Sequence, residues 1–276
     1  MSKISETFAR LKDKNEGALI AYLTVGDPHP KKTPRLIEAL IKGGADIVEL
    51  GVPFSDPIAD GPTIQNAVTR SLSSGAKPSD AFEVARTINE RFDVPLVLMT
   101  YFNPVIQFGL PKFLDLATKS GLAGMIVPDL PVEESRDYRK QCVAHNIDTI
   151  FLASPSTTRE RLRRILTETS GFLYLISLYG VTGARPKLDE TALRLVKEYH
   201  DFVAGSVRLA AGFGVSKPEH VVQLIDAGAD GAIVGSAFIK IIEQNQRNTR
   251  EAARKLERFA QALKKATART RMGTRA

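Results

Sequence analysis

Leu36-Ile-Glu-Ala-Leu-Ile-Lys-Gly-Gly-Ala-Asp-Ile-Val-Glu-Leu50 holds one complete structural unit. Apolar residues recur at helical spacing up to Lys42, two glycines follow, and then comes an apolar run, Ile47 to Leu50. Glycine just past a helix takes the left-handed conformation that closes the last turn. An apolar run without polar alternation marks a strand buried on both faces, as in a parallel sheet covered by helices. The unit recurs. Phe113 to Ser120 ends at Gly121 and leads into Ala123 to Val127, and Val221 to Ala227 ends at Gly228 and leads into Asp230 to Val234. Further strands are predicted at 18–24, 96–100, 149–153, 172–177 and 207–211. Eight strands with helical patterns between them, in 276 residues, predict an α/β fold: a single (β/α)8 TIM barrel. A doubly wound open sheet is the alternative, because a strand count does not prove closure. Ile4, Phe8 and Leu11 recur at helical spacing and predict an extra N-terminal helix within 1–16. No composition break or Ser/Gly/Pro-rich linker divides the chain, so 1–276 reads as one domain.

The bulk numbers narrow the function. Hydrophobic residues make up 43% and charged residues 25%, as in ordinary globular proteins. With Cys142 the only cysteine, no intrachain disulfide can form, which suits a reducing, cytoplasmic setting. Cys142 lies in a helix-like stretch and reads as a small buried hydrophobe. The first residues lack the apolar core of a signal peptide, and no apolar run reaches membrane length. The net charge of +7 is carried entirely by 241–276, where ten Lys/Arg face three Glu. Arg254, Lys255, Arg258, Lys264 and Lys265 read as the solvated side of an amphipathic helix, opposite Ala253, Leu256, Phe259 and Leu263. A nucleic-acid surface would gather its cations on a folded face, with aromatics for single strands. The pattern does not, so no nucleic-acid role is predicted. The basic tail, 269–276, is expected to be disordered.

The two kinds of junction differ in character. Helix-to-strand junctions are plain glycine caps. Strand-to-loop junctions carry special residues: Gly26-Asp27-Pro28, Gly51-Val52-Pro53, Pro128-Asp129-Leu130-Pro131 and Gly212-Phe213-Gly214 among them. In a barrel, function lies where strands hand over to the following loops.

Three constellations there carry chemistry. The loops after the last two predicted strands read Gly212-Phe-Gly214 and Gly235-Ser236, the second opening a helix. Glycine lets backbone N–H groups approach an anion, and a helix N-terminus adds its dipole, so the pair predicts a phosphate cradle. Tight turns that need glycine for steric reasons are the alternative. The second constellation is Glu49-Leu-Gly-Val-Pro-Phe-Ser-Asp-Pro-Ile-Ala-Asp60, which sets three carboxylates among rigid residues. Strand alternation puts Glu49 on the side of Ile47. If that side is the barrel interior, its pKa rises toward neutrality, as a general acid/base requires. Otherwise Glu49 is a structural carboxylate paired with Lys or Arg. Asp60 could face Glu49 across a small substrate, or it is a turn residue before Gly61. Asp56, in Ser-Asp-Pro, reads as turn chemistry. The third is Gly180-Val-Thr-Gly-Ala-Arg-Pro186, a candidate lid or a passive loop, ahead of a helix expected from Asp189. The four histidines, His29, His145, His200 and His220, have no metal-ligand spacing, so no metal is expected.

Several of these motifs occur together and in order, with Thr24-Val-Gly-Asp-Pro28, Gln65, Tyr101-Phe-Asn-Pro104 and Gly180-Val-Thr-Gly183, from about Thr24 to beyond Ile241. In this the chain resembles the tryptophan synthase alpha-chain family. The resemblance implies a barrel lyase that cleaves indole-3-glycerol phosphate to indole and glyceraldehyde 3-phosphate. It implies Glu49 as the main acid/base, Asp60 as the group meeting the indole N–H, and Tyr174 as a nearby catalytic-site member. Thr182 matches the lid threonine that meets the Asp60 position. Phosphate contacts carry over to Gly183, Gly214, Gly235 and Ser236. Tyr22, Tyr101, Ile126, Leu152, Phe213 and Ile233 match the indole pocket. Asp56 and Pro57 match a loop that approaches the beta chain. The resemblance implies no cofactor on this chain. It implies pyridoxal phosphate on the beta partner and an alpha2-beta2 heterotetramer in which indole passes to that partner for tryptophan synthesis. Leu178-Tyr179 and the basic extension past Lys265 touch none of these motifs.

Rival functions make different expectations. An isomerase or the indole-glycerol phosphate synthase of the same pathway would share the cradle but use another acid/base set, the synthase a catalytic lysine. A non-catalytic regulatory subunit would not need Glu49 and Asp60 intact.

Overall fold

The computed structural model describes residues 1–177 and 188–269. Nine strands occur among the described residues: β1 (Ala18–Thr24), β2 (Ile47–Gly51), β3 (Leu96–Met99), β4 (Gly124–Ile126), β5 (Asp148–Ile150), β6 (Leu152–Ala153), β7 (Phe172–Ile176), β8 (Arg208–Gly212) and β9 (Gly231–Val234). All pairings are parallel, in the order β5-β4-β3-β2-β1-β9-β8-β7-β6. The two ends of that order, β5 and β6, are separated in sequence by Phe151 alone. The sheet is therefore closed, a barrel of eight strand positions, and the open-sheet alternative fails.

The predicted strand at 149–153 is thus one strand in two pieces. Its first half pairs with β4 and its second half with β7. Backbone bonds across the seam complete the closure: Ser170 N–H donates to Thr149 O at 2.9 Å and Tyr174 N–H to Phe151 O at 3.0 Å. The strand predicted at 207–211 falls one residue later, at 208–212.

Twelve helices among the described residues cover the barrel: α1 (Lys3–Asp13), α2 (Thr33–Lys42), α3 (Pro62–Ser73), α4 (Asp80–Asn89), α5 (Phe102–Phe108), α6 (Leu110–Lys119), α7 (Arg136–Ala144), α8 (Arg159–Glu168), α9 (Glu190–Val203), α10 (Pro218–Asp226), α11 (Ser236–Glu243) and α12 (Thr249–Lys265). Gly44, Gly121 and Gly228 carry φ of +97°, +72° and +109°, as the helix-to-strand reading requires. The helix expected from Asp189 begins there, with the Asp189 side chain accepting from Thr191 N–H at 2.9 Å. None of the described helices is long and apolar enough to cross a membrane.

Two apolar layers follow from strand alternation. One fills the space between sheet and helices. The other fills the barrel, with Ile20, Ile47, Val97, Ile126, Phe172 and Ile233 among its members. Helix α1 plugs the end of the barrel where the strands begin. Its buried face is Ile4, Phe8 and Leu11, and Phe8 meets Phe172 edge-on at 6.0 Å. Burying each such side chain contributes about 1.5–3 kcal/mol. Ser2 caps the helix, accepting from Ser5 N–H at 3.3 Å and donating to Asp148 at 2.5 Å. Among the described residues, the plug fills that end of the barrel, and the pocket lies at the other.

Two expectations about the basic C-terminus are corrected. Lys264 is not on the solvated side of α12. Its Nζ lies 2.9 Å from both Glu16 and Asp46, joining α12 to the foot of the barrel. Arg269, expected as the first disordered residue, is anchored: its N–H donates to Asn15 O at 2.9 Å and its guanidinium to Ala229 O at 3.1 Å. In both cases a local charge run proved to have long-range partners.

Candidate active site

At the C-terminal end of the strands the barrel opens into a pocket holding about 790 Å3 of space, part of it open to solvent. Its walls come from every side of the barrel. Tyr22 stands on β1, Met99 on β3, Leu152 on β6, Tyr174 on β7 and Ile233 on β9. Asp60, from the loop after β2, reaches over one side. Of the predicted apolar residues, Tyr22, Leu152 and Ile233 line this space. Tyr101, Ile126 and Phe213 are buried and do not line it. The lining also includes Pro128, from the junction after β4, and Met99, Ile176 and Ile64, which no sequence motif marked. Met99 could have been found, because it follows Val97 on the inward alternation of β3.

Glu49 lies behind the lining, level with Tyr22 across the β1–β2 pair. Alternation from Ile47 turns it into the barrel, where it is wholly buried. Neither carboxylate oxygen has a hydrogen-bond partner among the described residues. The alternative of a structural ion pair therefore fails there. Burial alone pushes its pKa up to about 8. An unpartnered buried carboxyl is costly, and native structures keep such groups chiefly where function requires them.

Asp60 is built differently. The Tyr101 hydroxyl donates to its Oδ2 at 3.0 Å and accepts from Ala59 N–H at 3.0 Å. Gln65 Nε2 donates to the Asp60 carbonyl at 2.8 Å. Burial raises the Asp60 pKa and the Tyr101 hydrogen bond pulls it back, leaving it at about 6. The turn reading also holds in part, since Asp60 N–H donates to Pro57 O at 3.1 Å. The Tyr101 contact spans 41 residues, and no local pattern announces it.

Tyr22 and Tyr174 complete the group. The pKa of both phenols is driven up, first by burial and then by the nearby carboxylates, Asp60 for Tyr22 and Glu49 for Tyr174. Both therefore stay neutral donors. Their rings explain two glycines. A Cβ at Gly51 would lie 2.2 Å from the Tyr22 hydroxyl, and one at Gly212 would lie 2.9 Å from the Tyr174 ring.

Gly212, Gly214, Gly235 and Ser236 line the same pocket. Gly214 takes φ of +70°. Ser236 is the first residue of α11, and no side chain caps that helix. The first N–H groups of a helix lack intrahelical partners, so the uncapped terminus at the pocket wall suits an anion. Thr182 and Gly183, with the rest of the candidate lid, lie outside the described residues. Asp56 is exposed on the rim, where Ser55 Oγ donates to it at 2.5 Å. Pro57 follows it, and Ile58 is 76% exposed beside them.

The pocket can thus hold a small amphiphile: it offers an uncapped helix terminus for an anion, apolar walls, Asp60 in its lining and Glu49 behind it. Comparison with known proteins agrees. Residues 8–268 match the family described as tryptophan synthase alpha chain. The alpha chain of Methanosarcina barkeri is 47% identical over 262 residues, covering 95% of this chain and 96% of that one. The alpha chain of Arabidopsis thaliana is 40% identical over 263 residues, covering 95% and 94%. Among solved structures, a chain of the Mycobacterium tuberculosis tryptophan synthase superposes with a TM-score of 0.87 at 32% identity, covering 98% and 99%. One from the a2b2 complex of Pyrococcus furiosus gives 0.84 at 43% identity, covering 90% and 98%. Matched along nearly its whole length in sequence and in fold, the chain belongs to the tryptophan synthase alpha-chain family.

Proposed function

We propose that the chain is a carbon–carbon lyase that cleaves indole-3-glycerol phosphate to indole and glyceraldehyde 3-phosphate, with Glu49 and Asp60 as its acid/base pair. The observation that carries this reading is Glu49, wholly buried, unpartnered among the described residues, and acting on the same two phenols, Tyr22 and Tyr174, as a second carboxyl of lower pKa, Asp60. The reaction is a retro-aldol step. It needs a proton on the indole ring carbon, removal of the glycerol hydroxyl proton, and a partner for the indole N–H.

With a pKa of about 8, Glu49 is protonated at neutral pH and can give its proton to the ring carbon. The carboxylate so formed can then take the hydroxyl proton as the C–C bond breaks and the aldehyde forms. Asp60, with a pKa of about 6, is mostly ionised at neutral pH and accepts from the indole N–H. Two carboxyls in one site, held in opposite protonation states by their surroundings, is a general solution to acid/base chemistry at neutral pH. The α11 terminus with Gly214 and Gly235 holds the phosphate, and Tyr22, Leu152 and Ile233 flank the ring. Fixing the substrate by its remote phosphate sets the reacting carbon against Glu49.

The reading assigns no cofactor to this chain. It sets the chain in the cytoplasm with a pyridoxal-phosphate beta partner in an alpha2-beta2 assembly. Support for that partner is the rim at Asp56 and Pro57, where Ile58 stands 76% exposed. The test is steady-state indole release by Glu49→Gln. Turnover should fall by at least ~10²-fold with KM changed little. Near-normal turnover would remove Glu49 from the mechanism.

A further inference from the structure

A partly buried ion pair away from the reacting groups joins the two halves of this site. Asp27, in the loop after β1, is wholly buried. Arg70, in the last turn of α3, grips it with both arms of its fork: Nε donates to Oδ1 at 2.9 Å and Nη2 to Oδ2 at 2.8 Å. The remaining arm, Nη1, donates to Glu243 at 2.9 Å. Such two-pronged geometry fixes orientation as well as distance. Glu243 is the last residue of α11, whose first residue, Ser236, lines the phosphate end of the pocket. Helix α3 starts two residues after Asp60, and its Gln65 holds the Asp60 carbonyl. Helices α3 and α11 also pack directly on each other. One guanidinium therefore ties the helix that follows Asp60 to the helix that begins at the cradle, and both to the foot of the β1 loop.

We propose that Arg70 is a positioning residue, which sets the place of Asp60 relative to the phosphate end of the substrate. The inference rests on the proposed reaction and deepens it. Phosphate bound at the start of α11 anchors one end of the substrate. Asp60 must then meet the other end, and the distance between the two is set by how α3 lies against α11. Two further ties keep α3 in place without Arg70: Ser71 Oγ donates to Val25 O at 2.6 Å and Ser74 Oγ to Gly26 O at 3.2 Å. Loss of Arg70 should therefore shift the acid loop rather than release it.

Removing Arg70 alone strands a buried carboxylate, so two variants are needed. Arg70→Lys keeps the charge and loses the fork. The pair Asp27→Asn with Arg70→Gln removes both charges and keeps a hydrogen bond, and it decides the matter if Arg70→Lys does not fold. Indole release, affinity for inorganic phosphate and the pH dependence of kcat are measured on the purified full chain. The expected result is a kcat lower by ~10-fold, phosphate affinity within about twofold, and a shifted acidic limb of the kcat profile. A kcat within about twofold of wild type would overturn the inference. Equal losses in kcat and phosphate affinity would overturn it too, because they indicate general loosening. A wild-type chain that binds phosphate but releases no indole would overturn the reaction itself, and the role of Arg70 with it.

Discussion

Glu49 and Asp60 differ by environment rather than by kind. Glu49 has nothing but burial acting on it, whereas Asp60 receives the Tyr101 hydroxyl. Two predictions follow from that contrast. The folded-state pKa of Glu49 is raised to about 8 from an ordinary 4.5, so between those values the native chain binds more protons than the unfolded one. Stability must then fall as pH rises through that window. Glu49→Gln removes the titration and should raise Tm by about 3 °C or more at pH 8, with a smaller gain at pH 5. Thermal unfolding at the two pH values checks this, and an equal gain at both would contradict it. Tyr101→Phe removes the donor that lowers the Asp60 pKa. The acidic limb of kcat, set near 6 by Asp60, should move to higher pH, with activity at pH 6 down by about 10-fold. A limb that stays in place would separate Tyr101 from Asp60.

At the scale of elements, helix α1 does for the foot of the barrel what the loops do for its mouth. Phe8 is 3% exposed and packs on Phe172 of β7. Phe8→Ala should cost about 3–5 kcal/mol in denaturant unfolding while leaving KM for the substrate nearly unchanged. A change in KM without loss of stability would show that the plug reaches the site. The strands were legible because buried parallel strands are continuous apolar runs, and glycine caps marked where β2, β4 and β9 start. The break at Phe151 was not legible. It is the point where one strand changes partners, and pairing is a property of two segments. Helix α5, which shares the connection from β3 to β4 with the predicted α6, escaped for a related reason. Gly109 between them, with φ of +85°, reads in sequence like any loop glycine.

For the whole molecule, the sequence carried residue types to the right end of the barrel, but not the contacts between them. Strand alternation set Glu49 beside Ile47, the structure makes that side the barrel interior, and glycine spacing found the α11 terminus. The Tyr101–Asp60 and Arg70–Asp27 bonds span 41 and 43 residues, and the pairing of β2 with β3 and of β1 with β2 brings them about. Lys264 shows the converse: a residue that matched a solvated helix face is bound to Glu16 and Asp46. Closure also concentrates the chemistry. Among the described residues, the plug at one end leaves the mouth at the other, where the proposed anion, ring and acid/base sites lie. The most direct test of that account is indole release from indole-3-glycerol phosphate by the purified chain, alone and with a tryptophan synthase beta chain. The account predicts release by the chain that rises when the partner is added. No release in either condition would contradict it.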